Sequence, residues 1–294
     1  MAKRNEPQTP TPTPTPTPTQ TPTPTQSKDK LDGLYGEPAI YDILHTPHTS
    51  WEVGGLVQIA KRFLGATREP ASMTWLEPAC GTGRYLREAA RKGVRVIGFD
   101  RSEAMIAYAH ERIAKLGVKK KPHLFVGDMV GFENQIKPAS VDMAFNLINT
   151  IRHLPSDKAM LEHFAGIRAV LKPGGIYVVG ISLSAYGREQ PDEDVWSGKR
   201  GRVHVTQIVN YEPATNGTGP GTRVEMVYSH MMVQKPSGMT HYDDAYGLRS
   251  YNLAQWRSIV SRGGLERIAT IDELGEDVMV LEPGYALHVL RPKA

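Results

Sequence analysis

Up to residue 183 the apolar positions keep two rhythms. Short runs rich in Val, Ile, Leu and Phe alternate with longer stretches in which apolar side chains recur every three or four positions. The runs read as strands and the longer stretches as helices packed by one face. Strands are therefore expected over residues 73–78, 94–100, 123–127, 141–147 and 176–183, with helices over 85–92, from a Ser102 cap to about 116, and over 156–171. Glu103 lies in the first turn of the second helix, where a negative charge suits the dipole. The sequence Lys172-Pro173-Gly174-Gly175 is expected to stop the third helix twice, since proline cannot continue it and glycine can take the left-handed cap. Regular alternation of strand and helix predicts a mostly parallel sheet with helices on both faces. The Ile/Val-rich stretch at 176–183 reads as a strand buried on both faces.

Past residue 183 the rhythm changes. Residues 203–211, 222–233 and 239–247 read as strands separated by turn formers, notably the glycine-rich segment 216–221, and suggest an antiparallel insertion over 184–250. Asn252 then begins a helix that reaches Arg262 and ends at Gly263-Gly264, and strands at 265–271 and 285–290 close the segment 251–294. At the other end, Thr-Pro alternation between Thr9 and Thr25 removes a backbone donor at every second position and favours extended polyproline II. Residues 1–30 are read as a disordered tail, a tether or else a ligand for a proline-reading domain.

Composition narrows the partners. A length of 294 residues suits one large domain or a domain with an insertion, and a net charge of +4 is only mildly basic. The runs at 119–121 and 199–202 read as solvated loops and not as a nucleic-acid stripe. No apolar run is long enough for a membrane span and the first residues lack a signal-peptide core, so a cytoplasmic protein is expected. The single cysteine, Cys80, makes no internal disulfide, and a nucleophilic role would require a basic partner. His45 and His48 have a spacing compatible with metal ligation on a helix, but Pro47 between them spoils that geometry, and no metal is expected.

The chemistry concentrates in residues 73–100, where a strand, an acidic turn, Gly81-Thr82-Gly83, a helix and a second strand end at Asp100. Glycines there allow a sharp turn and close approach of backbone to a ligand, and the carboxylate can accept from both hydroxyls of a ribose. A dinucleotide fingerprint would have a third glycine at position 86, which is Leu86. Gly127-Asp128-Met129 ends the third strand with an acceptor and an apolar face suited to an adenine; a turn-initiating Asp is the alternative.

The run Glu77-Pro78-Ala79-Cys80-Gly81-Thr82-Gly83 resembles motif I of the class I S-adenosylmethionine (SAM) dependent methyltransferases, written [DE]-x-x-C-G-T-G. Asn149-Thr150-Ile151-Arg152-His153-Leu154 resembles the N-S-[IF]-x-H-L string of small-molecule N-methyltransferases, of the glycine N-methyltransferase and aminosugar N,N-dimethyltransferase type, with Thr for Ser. Tyr41-Asp42 resembles the Tyr-Asp pair of their N-terminal lid. The resemblance covers about residues 35–292 and is specific over 75–175. It implies a Rossmann-like seven-stranded α/β sheet, a helical lid over 31–70, a SAM-binding core over 71–183 and an antiparallel insertion on the acceptor side.

By the same resemblance the cofactor is SAM, held by Glu77, Ala79, Gly81, Gly83, Arg84, Asp100, Arg101, Met105, Asp128, Met129 and Asn146. Asn149, His153 and Tyr41 are the expected catalytic residues, and a small-molecule amine the expected acceptor. Alternatives stay open. Arg84 pairs with the methionine carboxylate or faces solvent; His153 acts as a base or bonds backbone at a helix start; Tyr35 and Tyr41 cover the sulfonium or pack the lid. His230, His241, Asp243 and Asp244 meet a polar substrate or line a solvated strand edge. The [DNS]-P-P-[YFW] motif of enzymes that methylate nucleic-acid bases is absent. A noncatalytic SAM-binding module and an RNA or protein methyltransferase are the competing readings.

Overall fold

The computed structural model describes residues 36–219, 221–280 and 282–293. The Thr-Pro tract, Tyr35 and the start of the expected lid lie outside them.

Helices α1 (Pro38–His45) and α2 (Thr49–Leu64) precede the alternating core of β1 (Thr74–Pro78), α3 (Arg84–Arg91), β2 (Arg95–Asp100), α4 (Glu103–Ala114), β3 (His123–Val126), β4 (Val141–Asn146), α5 (Asp157–Val170) and β5 (Leu171–Leu183). Strands β6 (Asp192–Arg200), β7 (Val203–Glu212), β8 (Val224–Lys235) and β9 (Gly238–Arg249) follow, then α6 (Leu253–Arg262), β10 (Leu265–Ile271) and β11 (Gly284–Pro292). The main sheet has seven strands in the order β10-β11-β5-β4-β1-β2-β3, and the insertion forms its own four-stranded antiparallel sheet, β6-β7-β8-β9. In the main sheet β1 to β5 run parallel, while β11 is antiparallel to both β5 and β10.

Successive strand residues fall into different apolar clusters. Trp75, Met143 and Val178 join the cluster that includes Leu56 of α2, Leu86 of α3 and Ile106 of α4. Leu76, Ala144 and Val179 join the one that includes Phe164 of α5 and Trp256 of α6. A strand presents alternate residues to opposite faces, so covering both faces requires the unbroken apolar runs seen in the sequence.

Two expectations change. Helix α5 ends at Val170, and Leu171 is already extended, at φ −68° and ψ 138°. The Pro-Gly-Gly segment therefore does not cap the helix; it lies in the early part of β5, which starts well before 176, where the register against β4 shifts. Gly174 is left-handed at φ +76°, and a Cβ on Gly175 would press on the carbonyl oxygens of Lys172, Asp142 and Val141 at 2.9–3.2 Å. The second change is β6, absent from the sequence reading. Its sequence, DEDVWSGKR, is largely exposed and carries no apolar alternation because it is an edge strand, held by its ladder to β7. Asn252 caps α6 as expected. Its Oδ1 accepts from the Gln255 N–H at 2.8 Å while Gln255 Oε1 accepts from the Asn252 N–H at 3.0 Å.

Candidate active site

The ends of β1 and β4, helices α1 and α2, the inner face of the insertion and the β10–β11 connection enclose a cavity of about 400 Å³. Its floor is the turn after β1. Ala79, Gly81 and Gly83 all have positive φ, at 51°, 52° and 66°. Gly83 starts α3, and a Cβ there would stand 3.1 Å from that of Ala109 in α4. Asp100 ties the turn down: its Oδ2 accepts from the Gly81 N–H at 2.9 Å and its Oδ1 from the Ser102 N–H at 2.9 Å. Each oxygen keeps a lone pair for a further donor. Leu86 stands where a dinucleotide fold would have glycine, and the close approach is supplied from the opposite side. A Cβ on Gly98 of β2 would collide with Leu86 and lie 3.0 Å from Cys80 Sγ. Sequence reading passed over Gly98 because its role depends on a neighbour in space.

Glu77 is the most perturbed acid on the floor. It is 7% exposed, and its Oε2 has no hydrogen-bond partner. Burial pushes its carboxyl well above the usual range, and the nearby Arg84 charge only partly opposes this. Arg84 faces inward and not into solvent. Its Nη1 donates to Thr49 Oγ1 and Glu52 Oε2, each at 2.7 Å, and its guanidinium stacks 3.8 Å from the Tyr85 ring centroid. Helix α2 thus holds Arg84 in the cavity wall.

Helix α1 brings Tyr41 to the same wall, and burial pushes its phenol up to about 12. The next residue, Asp42, is fully buried and fastens the helix. It accepts from Arg87 Nη2 at 2.6 Å and Thr82 Oγ1 at 3.0 Å on one oxygen, and from Arg200 Nη2 at 2.7 Å and Tyr108 Oη at 3.0 Å on the other. Core helices α3 and α4 and insertion strand β6 therefore meet on one carboxylate.

The β4 edge is more structural than expected. Asn146 is 1% exposed; its Nδ2 donates to the Pro78 carbonyl at 2.7 Å and its Oδ1 lies 2.6 Å from the Tyr177 hydroxyl. Those bonds join β1, β4 and β5, so the expected cofactor contact falls to what the side chain has left. Asn149 likewise turns to β5, where its Oδ1 accepts from the Ser182 N–H at 2.6 Å and its Nδ2 donates to Ser182 Oγ at 3.0 Å. Each polar end thus has a partner on β5, and the residue still lines the cavity where it was expected to orient an acceptor or a cofactor carboxylate. Ile148 and Asn149 are left-handed at φ 51° and 59°. For a β-branched residue such as Ile148 that conformation is costly, and strain of this kind collects at ligand sites.

Thr150–His153 form one 3-10 turn beyond that corner. Arg152 is 1% exposed; its Nε donates to the Arg249 carbonyl and its Nη2 to Glu225 Oε2, both at 3.0 Å. This fastens the turn to the insertion, a role hidden at the unspecified position of the motif. His153 lines the cavity with its ring 5.5 Å from that of Tyr246. Crowding by protein and the charges of Arg101 and Arg152 push its pKa down to about 4, while its open side toward the cavity lets water offset part of that shift.

Tyr41, Glu77, Ala79, Arg84, Asn146, Asn149 and His153 are thus brought to one cavity. Gly81 and Asp100 form its underside through their mutual bond. The Met105 side chain is 1% exposed and outside the cavity lining, and its N–H donates to the Ser102 cap at 3.3 Å. Arg101 and Asp128 are exposed and also outside the lining. Asp128 Oδ1 accepts from the Val130 N–H at 3.1 Å, the turn-forming alternative, while Met129 packs on the apolar cluster under α5 and its carbonyl meets His163 Nδ1 at 2.8 Å. On the insertion, His230 Nδ1 lies 2.6 Å from Asp243 Oδ1 and 3.2 Å separates His230 Nε2 from His241 Nδ1, all away from the cavity lining. The sequence reading missed Asp194, Trp196, Gln207, Tyr211 and Tyr246, which the insertion sends into the cavity. Their signal was the inward phase of strands whose packing partner the sequence does not reveal.

Residues 76–175 match a family model described as a methyltransferase domain. The chain carries a SAM-dependent methyltransferase domain. Among curated relatives, it is 27% identical over 155 residues to the methyltransferase YqeM of Bacillus subtilis (strain 168), covering 51% of this chain and 55% of that protein. It is 25% identical over 230 residues to dTDP-3-amino-3,6-dideoxy-alpha-D-glucopyranose N,N-dimethyltransferase of Streptomyces fradiae, covering 77% and 82% of the two. Among solved structures, DesVI of Streptomyces venezuelae superposes with a TM-score of 0.62 at 20% identity, covering 83% of this chain and 92% of that one, which supports the fold. The cofactor of the methyltransferase is S-adenosyl-L-methionine. The floor suits it, since a buried carboxylate with an orphan oxygen at Glu77 fits the cofactor's ammonium and the glycine turn admits close approach. No helix among the described residues is long and apolar enough to cross a membrane.

Proposed function

We propose that this methyltransferase methylates an amine nitrogen of a small molecule that sits between the strand tips, α1 and the insertion. The observation that supports this best is the cavity itself, which joins the floor around Glu77 to His153 and the insertion side chains within about 400 Å³, so that cofactor and acceptor share one enclosure. The amine-methylating activity in the name of the Streptomyces fradiae relative, which matches over 77% of this chain, agrees with it.

When bound, the cofactor supplies an electrophilic methyl: the amine lone pair forms the new C–N bond as the C–S bond breaks, and sulfur keeps the pair. The chain's residues align and enclose. Glu77 pairs with the ammonium of the cofactor, Asp100 takes ribose hydroxyls on its remaining lone pairs, and Tyr41 covers the reacting end. Arg84 is the candidate for the methionine carboxylate, held ready by Thr49 and Glu52. His153 is neutral at physiological pH, so it does not repel a cationic amine, and its ring accepts a proton or a hydrogen bond from the nitrogen. Asn149 acts through position, fixing the corner that presents His153. Buried Cys80 is compatible with a reducing cytoplasm.

The test is formation of S-adenosylhomocysteine with a panel of small amines and their matched alcohols, with the methylated atom located by mass spectrometry. N-methyl products are expected. Methylation confined to oxygen or carbon would refute the reading.

A further inference from the structure

The acceptor half of the cavity has a chemical sign. Asp194 of β6, Gln207 and Tyr211 of β7 and Tyr246 of β9 line it from the insertion, and Glu273 lines it from the β10–β11 connection. Among the described lining residues Arg84 is the one lysine or arginine, and the reading above assigns it to the cofactor's carboxylate. His45 is held neutral by burial and the nearby Arg84 charge, and the pKa of His153 is lowered by the crowding protein and the charges of Arg101 and Arg152. A second observation is independent of charge. Gln207 is 2% exposed; its Nε2 donates to Ser229 Oγ at 2.7 Å, and its Oε1 has no partner. A buried carbonyl oxygen of this kind is stabilised by a ligand that donates to it. Tyr211 and Asp194 are diagonal neighbours on the paired strands β6 and β7, and both line the cavity.

From these groups we infer that the acceptor is a nucleotide-free, polyhydroxylated amine, and that Asp194 and Gln207 determine specificity by accepting from its ammonium and hydroxyl donors. The inference rests on the amine reading above. Trp196, Tyr211 and Tyr246 supply flat faces for the C–H side of a ring or for a cationic nitrogen. A nucleotide diphosphate brings at least two negative charges. In this cavity they would lose water beside Asp194 and Glu273 with Arg84 assigned to the cofactor's carboxylate, so the same carboxylates that favour an amine oppose a diphosphate-linked one. On this point the chain parts from the relative named for a dTDP-linked amine.

Three measurements test the inference on the full-length enzyme. Calorimetry with dTDP in the presence of S-adenosylhomocysteine is expected to give a Kd weaker than about 1 mM. Micromolar dTDP binding would overturn the inference whatever the enzyme turns over. Second, amino sugars and amino polyols are compared with nucleotide-linked amino sugars for S-adenosylhomocysteine release. Turnover of the nucleotide-free set is expected; turnover restricted to nucleotide-linked amines would overturn the inference and leave amine methylation standing. If the acceptors that work are methylated only at oxygen or carbon, the amine reading fails and the inference with it. Third, Asp194→Asn is expected to raise the amine KM about tenfold while kcat and SAM affinity hold, with Asp194→Glu recovering part of the loss. Asp194 is exposed, so the fold tolerates both variants. An unchanged KM in Asp194→Asn and in Gln207→Leu would overturn the assignment.

Discussion

Replacing Asp42 by Ala is the most demanding test of how the site is held together. The carboxylate is fully buried and accepts four side-chain donors, two per oxygen, which fills its lone pairs. The donors are not equivalent. The Arg87 side chain is 6% exposed, so removing Asp42 strands a buried guanidinium, a change that costs about 3–5 kcal/mol. The Arg200 side chain is 38% exposed and can rehydrate, so its ion pair adds under ~1 kcal/mol. Urea denaturation near neutral pH should show Asp42→Ala losing about 3–5 kcal/mol with an unchanged m-value, and Arg200→Ala losing under ~1 kcal/mol. The double variant Asp42→Ala/Arg87→Leu should recover much of the loss, because the stranded charge is gone. SAM affinity should fall in Asp42→Ala, since α1 carries Tyr41 into the cavity. The pH dependence has a definite sign. Burial alone would raise the Asp42 pKa, but Arg87 and Arg200 outweigh it and hold the folded value below 3.8. Its stabilisation is therefore present above the unfolded pKa and lost as pH falls through the folded one, so the variant should have a flatter acid limb than the parent. Equal losses for Asp42→Ala and Arg200→Ala, or a loss under ~1 kcal/mol for the former, would refute the reasoning.

Asp100→Ala should weaken SAM binding by about 1.5–3 kcal/mol in calorimetry by removing ribose acceptors and freeing the Gly81 turn; unchanged affinity would count against the cofactor placement. Glu77→Gln should separate stability from function. The Glu77 pKa is raised in the folded state, so stability falls as pH rises from 4.5 toward the folded value, and the variant should gain in urea midpoint at about pH 8 relative to about pH 5 while losing SAM affinity. No gain at the higher pH would contradict a buried, uncompensated carboxyl. His153→Ala should lower kcat with little change in SAM affinity or denaturation midpoint, whereas Asn149→Ala should lower turnover and midpoint together because its amide spans to Ser182. The opposite pattern would exchange their roles.

The positions of the β1 turn, Asp100 and the first five strands were legible because their causes are local. A buried parallel strand needs an unbroken apolar run, and a left-handed turn needs glycine or a small residue; both leave a mark within a few residues. Strand β6 left none, since an edge strand is held by its ladder and its outward residues are charged. Asn146 and Asn149 read as site amides because their strand-tip position is visible in the sequence, while their partners Pro78, Tyr177 and Ser182 lie 31 to 68 residues away. Arg152 occupied an unspecified motif position, yet its partners are on β8 and β9, at separations of 73 and 97.

By itself, then, the sequence determined the alternating α/β core, the glycine turn with its acid, and the cofactor class that these imply. Backbone turns and strand burial are short-range matters, fixed by steric limits and by which residues prefer to leave water. The tertiary structure alone decided which polar groups remain available. Asn149 is tied to Ser182, Glu77 is left with an orphan oxygen, Gly98 yields to Leu86, and a second sheet turns Asp194 and Gln207 toward the cavity. Whether a hydrogen-bonding group is free depends on every neighbour within about 3 Å, and those neighbours come from all along the chain.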